Sequence, residues 1–126
     1  MALETLKDLK QIGPFAVLQE RPKKEDGSVD WALFDEQRKT SPIYVDSEVN
    51  MISFRIQKGP VKEFGVNGCQ VDTLIEAASL IIEGMNKQFP CPENDMEIFH
   101  LTAALMWSAR RKADREARGV EGQSKA

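Results

Sequence analysis

Near residue 70 the apolar side chains stop alternating and begin to recur at a helical period. Val71, Leu74, Ile75, Ala78, Ile82 and Met85 fall on one stripe, and Ala77, Leu80 and Ile81 widen it. A stripe that broad predicts a helix covered on more than one side. Phe89-Pro90-Cys91-Pro92 then interrupts it, because each proline lacks an N–H and restricts the residue before it. Beyond the break, Ile98, Leu101, Thr102 and Leu105 form a second helical stripe. Phe99, Ala103 and Met106 lie beside it, and Trp107 adds a third direction. Two helices joined by a short Pro-rich turn must fold back on each other. One partner helix leaves apolar surface over on the second, which implies self-association.

Upstream the pattern is extended. Ile52, Phe54 and Ile56 alternate with Ser53, Arg55 and Gln57, as a half-buried strand requires, so Arg55 is expected opposite the core. Ile43 to Val49 reads as its neighbour. Gly59-Pro60 ends the strand, Val61 to Phe64 is expected to pair back on it, and Gly65, Asn67 and Gly68 make a turn. At the start, Leu3, Leu6, Leu9 and Ile12 before Gly13-Pro14 predict a short amphipathic helix with its stop. Phe15 to Leu18 is a brief apolar run. Arg21 to Ser28 is polar and reads as a hairpin loop or a mobile connection, and Trp31 to Phe34 fits strand or helix equally. The expected architecture is therefore α+β: an N-terminal antiparallel β-sheet with a short N-terminal helix, then a C-terminal antiparallel helical hairpin. The corresponding regions are 1–66, 67–122 and a polar tail at 123–126.

Asn94 followed by Glu97 resembles a capping box that would start the second helix. Its far end is crowded with cations: Arg110, Arg111, Lys112, Arg115 and Arg118. Arg111, Arg115 and Arg118 share one face. A solvated helix end accounts for part of this, since Arg110 with Asp114, Asp114 with Arg118, and Lys112 with Glu116 are opposite-sign i,i+4 pairs. Arg111 and Arg115 form a like-charge pair at the same spacing. A bound anion bridging them would explain it, because the guanidinium fork suits bidentate phosphate contact.

The net charge of −3 supplies no global field toward DNA, RNA or an anionic membrane, so an anion site must be local. The run of apolar residues that a membrane span needs is missing from the sequence, and the first residues do not make a secretory h-region. Cys69 and Cys91 match no CxxC pattern, and nothing in the spacing calls for a metal or cofactor. His100, the one histidine, stands on an apolar helix face without a nucleophile or carboxylate at telling spacing. A P-loop, GxGxxG or HExxH pattern is also lacking. The expectation is a binding protein rather than an enzyme.

Asn67 to Asn94 (NGCQVDTLIEAASLIIEGMNKQFPCPEN) and Ala104 to Gly122 (ALMWSARRKADREARGVEG) resemble the helical-hairpin domain shared by two groups of phage anti-defence proteins. These are the anti-Thoeris sponges for cyclic ADP-ribose signals and the anti-CBASS sponges for cyclic oligonucleotides. Gly59-Pro60-Val61-Lys62-Glu63 before Gly65 to Gly68 makes the anti-Thoeris group the nearer of the two, and the Arg118 to Gly122 ending is the most specific part. The resemblance implies a sponge in the host bacterial cytoplasm that holds a cyclic ADP-ribose isomer without cleaving it. It further implies capture of cyclic di- or trinucleotides at a separate site, and a homo-oligomer, dimer or hexamer. Family contacts carried onto this sequence fall on Met85, Asn94, Arg111, Arg115, Arg118 and Arg55. Met85 stands where the family has an aromatic, and Pro92 where it commonly has arginine. The competing reading is a structural or protein-interaction module whose arginines are only a solvated helix end.

Overall fold

The computed structural model describes residues 5–120. Leu3 of the expected first helix, and the polar tail with the last two residues of the Arg118 to Gly122 ending, lie outside the described residues. The architecture is α+β, with two small antiparallel sheets and a long C-terminal helical hairpin.

The first helix is shorter than its spacing predicts. Helix α1 covers Thr5–Asp8, while β1 (Gln11–Ile12) pairs antiparallel with β2 (Phe15–Ala16), Ile12 opposite Phe15. Gly13 turns the chain with a φ of 58°, so Gly13-Pro14 closes a hairpin instead of capping a helix. The three-residue apolar spacing is still satisfied, since Leu6, Leu9 and Ile12 all enter the core. One isolated turn of helix gains little from extending, whereas the extended segment gains a strand partner.

The polar stretch after β2 is a closed loop. Lys23 and Val29 form an antiparallel bridge, and the Asp26 carboxylate accepts from the Ser28 amide and hydroxyl. Those bonds hold the Asp26 carboxyl below its ordinary range, the Ser28 hydroxyl first. Asp30 then caps α2 (Trp31–Thr40), its Oδ1 accepting from the Leu33 amide at 3.0 Å, which resolves the open Trp31 to Phe34 segment as helix.

Strands β3 (Ile43–Asp46) and β4 (Met51–Phe54) pair antiparallel with Val45 opposite Ile52. All four β3 residues are buried because both faces are covered. Ile43 and Val45 enter the main core, while Tyr44 meets Phe34 of α2 edge to face at 5.4 Å. Arg21 fastens that second face: its fork grips Asp46 at 2.8 and 3.0 Å and Glu48 at 2.7 Å, with its carbon stacked 5.0 Å from the Trp31 ring.

Beyond β4 the alternation fails. Ile56 is 56% exposed, and its backbone instead forms a parallel bridge with Cys69. Val61 to Phe64 does not return as a strand but forms the single turn α3 (Val61–Phe64). Pro60 immediately before it favours a helix start, and its carbonyl accepts from Phe64. The Gln57 side chain replaces the expected ladder: its Nε2 donates to Gly59 and Gly65 carbonyls, and its Oε1 accepts from the Asn67 and Gly68 amides. Asn67 in turn pairs with both backbone groups of Lys58.

Helix α4 (Val71–Gln88) lies between two layers, as its broad stripe predicts. Thr73, Ala77, Leu80 and Ile81 face the sheets and α1, and on the far side Ser79 and Asn86 face α5 (Pro92–Ala117). Asn94 is not the cap of α5; Cys91 holds that position and Pro92 opens the helix. The residue that binds the turn is Asn86, whose Oδ1 accepts from the Cys91 amide and whose Nδ2 donates to Asp95 at 2.9 Å. Proline fits the first helical position, which moves the start upstream of the Asn94–Glu97 pair. Ile98, Leu101 and Leu105 are half-buried on the α4 side. Met96, Phe99, Met106 and Trp107 stand on the opposite side, each more than half exposed, and no residue of α5 is fully buried.

Candidate functional site

The hairpin is antiparallel, so the N-terminal turn of α4 lies level with the closing turns of α5. Between them is a hollow of about 240 Å³ lined by Gln70 and Asp72 from α4 and by Ser108, Arg111, Lys112 and Arg115 from α5. Three cations and one carboxylate therefore share a small concavity. Gln70 occupies the N-cap of α4 without a side-chain cap bond, so the positive end of the α4 dipole also points toward this region. Arg115 is half-buried, with Nη2 donating to the Val120 carbonyl at 3.0 Å, a contact that engages one edge of its guanidinium beside the hollow. An open, cationic pocket of this kind is suited to hold a phosphate-bearing anion through charge-assisted bonds.

The six residues singled out by sequence do not gather in one place within a chain. Arg111 and Arg115 line the hollow together. Arg118 leaves the ladder and pairs with Asp114, Nε to Oδ2 at 3.0 Å, the i,i+4 arrangement expected of a solvated helix end. Arg110 lies over the Trp107 ring at 5.2 Å. Arg55 is exposed at the end of β4, where its Nη1 donates to the Thr40 carbonyl at 3.3 Å.

Met85 and Asn94 sit together at the other end of the hairpin. Met85 is 38% exposed in the last turn of α4, and the Asn94 amide donates to the Phe89 carbonyl at 3.3 Å. Asn94 and Arg111 are about 26 Å apart along the axis of α5, taking about 1.5 Å per residue. No single small ligand spans that distance inside one protomer.

Sequence reasoning missed Gln70, Asp72 and Ser108 as pocket residues and noted Lys112 only as one cation among several. A signal for them was present: counting outward from the Pro-rich turn of an antiparallel hairpin brings the residues near 70 level with those near 112. Next to the arginine hollow is a second, larger one of about 490 Å³. Its walls include Phe15, Val61, Val66 and Gly68, and it shares Gln70, Asp72 and Lys112 with the first. Among the described residues, no group of three or more His, Cys, Asp or Glu side chains is placed to hold a metal ion. No helix of the described residues is long and apolar enough to cross a membrane.

An α+β body carrying a helical hairpin, with arginines grouped beside the N-terminus of the hairpin's first helix, defines the class as a hairpin-domain protein with a local cationic hollow. The chain belongs to the Acb2/Tad1 hairpin-domain family, whose model matches residues 51–113, from β4 to the arginine end of α5. That segment contains Arg55, Met85, Asn94 and Arg111, while Arg115 and Arg118 lie past its end. The chain is also similar to the protein named Thoeris anti-defense 1 of Bacillus phage SBSphiJ7, at 42% identity over 73 residues. The aligned part is 57% of this chain and 51% of that protein, so the chain spans about half the length of its curated relative.

Proposed function

We propose that this protein is an anti-defence sponge that binds a cyclic ADP-ribose-type signal and withholds it from its receptor without cleaving it. The observation that carries this reading is the hollow in which Arg111, Lys112 and Arg115 converge beside the N-terminus of α4. A pyrophosphate is the dianion that such a set of forks and amides suits. The family, and the printed name of the phage relative, support an anti-defence role.

The two separated halves of the site are united by a second copy of the chain. Met96, Phe99, Met106 and Trp107 form a stripe along the open side of α5, roughly centred on Ala103. Two such stripes packed antiparallel about a two-fold axis bury each other and lay one protomer's turn, with Met85 and Asn94, beside the other protomer's Arg111 and Arg115. The contact is self-complementary, as an isologous interface must be. Met85 then covers the base or ribose, Asn94 fixes a polar edge, and the arginines hold the phosphates. Arg118 and Arg55 serve as rim cations.

To starve a receptor, affinity must be near nanomolar, about −12 kcal/mol, which several desolvated contacts acting together can supply. The test is a calorimetric titration with a panel of cyclic ADP-ribose isomers, followed by heating of the complex. Tight binding, return of the ligand chemically intact, and a loss of about a hundredfold or more in Arg111→Ala are expected. Converted ligand would mean an enzyme. Silence across the panel, or an Arg111→Ala titration identical to the parent, would favour the structural-module reading. Adding cyclic di- and trinucleotides to the saturated complex asks whether they occupy a separate oligomer site, as a sponge for both signals requires.

A further inference from the structure

Phe89 is 70% exposed, more than any other large apolar side chain of the described residues. It belongs to the Pro-rich turn and not to the stripe on α5, so packing α5 against α5 does not account for it. Its backbone is nevertheless held from both sides. The Phe89 amide donates to the Met85 carbonyl at 2.9 Å, and its carbonyl accepts from Asn94 Nδ2 at 3.3 Å. Pro90 keeps it out of the helical region, at a φ of −135° and a ψ of 74°. Two residues on, the Cys91 amide donates to Asn86 Oδ1 at 3.2 Å. A turn this constrained offers its one aromatic ring from a fixed backbone, so little order is lost when something covers the ring.

The neighbours of Phe89 say what covers it. It follows Met85 by one helical turn, on the same side of α4, and it is bonded to Asn94. That bond uses one Nδ2 hydrogen. Asn94 keeps a second donor and its Oδ1 acceptor, the pair that complements the edge of an adenine. A planar base whose edge meets an amide still has a face to bury, and a phenyl ring matches that face. Met85, an unbranched and flexible thioether, has no plane to offer.

We infer that Phe89 is the stacking platform for the base of the bound signal, which leaves Met85 to the ribose. The turn of one protomer then reads the base while the arginines of the other hold the phosphates. This assignment rests on the two-protomer reading above and deepens it, narrowing the ligand from a phosphorylated sugar in general to a nucleotide whose base has an open face.

The experiment is a calorimetric titration of the cyclic ADP-ribose isomers into the full chain and into Phe89→Ala, Phe89→Leu and Phe89→Trp, with sedimentation and thermal unfolding of each protein. Phe89→Ala is expected to weaken the tightest isomer about five- to hundredfold, the loss of one base–aromatic stack, with oligomeric state and Tm unchanged. Phe89→Leu keeps apolar cover without a ring face and should fall nearly as far. Phe89→Trp should bind at least as tightly as the parent, and its added indole should be quenched by ligand beyond the response of the parent. The assignment falls if Phe89→Ala titrates as the parent does, or if Phe89→Leu retains full affinity. It falls equally if Phe89→Ala changes the oligomeric state, which would make the ring a contact between subunits. Any of these results with Arg111→Ala still impaired leaves the sponge reading standing, whereas a parent silent across the panel ends both.

Discussion

Replacing Gly68 by alanine tests the packing that holds both hollows in shape. A Cβ built at Gly68 would lie 2.5 Å from the Arg55 carbonyl oxygen, 2.6 Å from the Ile56 carbonyl carbon and 2.7 Å from the Gln57 nitrogen. All three are backbone atoms, so no side chain can swing aside. Relief requires the two segments to part, at the point where Cys69 donates to Arg55 at 2.6 Å and Gln57 donates to Cys69 at 2.8 Å. Breaking or stretching two part-buried bonds and adding steric strain costs about 2–5 kcal/mol. For a chain of this size that corresponds to a fall of about 8–20 °C in Tm.

Gly13→Ala is the control. Gly13 has a φ of 58°, but its added Cβ would meet nothing closer than Glu76 Oε2 at 3.5 Å, so only the left-handed backbone is penalised, about 1–2 kcal/mol. Thermal unfolding followed by circular dichroism, at one protein concentration for all variants, should place Gly68→Ala well below Gly13→Ala. Labelling of the buried Cys69 thiol should accelerate more in Gly68→Ala than in Gly13→Ala. A Gly68→Ala protein melting within about 3 °C of the parent would refute the reasoning, because a clash with backbone that large cannot be absorbed for so little.

Three further outcomes follow from particular side chains. Asn86→Ala removes the bonds to Cys91 and Asp95 and should cost about 1–2 kcal/mol in urea unfolding, more than Asn94→Ala, which loses one longer bond. Phe99→Glu places like charges in the proposed two-fold contact, and sedimentation should find monomer where the parent is dimer, with ligand titrations weakened although the arginines are untouched. Burial raises the Cys69 thiol, with the Asp72 charge adding to it, so the native state keeps a proton that the unfolded chain loses above the ordinary value of 9.0. Stability should therefore be complete below that value and decline as pH rises through it, and Cys69→Ala should flatten the decline between about pH 8.5 and 10.

The hairpin was legible because its signals are local: a change of period at Val71, and two prolines, Pro90 and Pro92, that one continuous helix cannot run through. The α+β order was legible for the same reason. Asn94 misled because a capping box is defined by spacing alone, whereas the residue that secures the turn, Asn86, acts across it and shows its role only once α4 and α5 are in contact. Val61 to Phe64 misled because its pairing partner had been replaced by the Gln57 amide, a substitution that no periodicity records. The arginines were legible as a group, but not their division. Arg118 turns to Asp114 while Arg111 and Arg115 line the hollow, and the three share one helical face in any projection. Asp72 drew no notice in the sequence, because only the antiparallel hairpin brings it level with Arg111.

Gln57 uses every donor and acceptor of its amide to fix the course of residues 59 to 68. The route of that segment is thus written largely in one half-buried side chain, while the side chains of Val61, Lys62 and Val66 make none of those hydrogen bonds. Exchange at those display positions can reshape the lining of the larger hollow without rebuilding the frame. A variant such as Gln57→Glu, deprived of its two donors, would lose the frame with every display residue still in place.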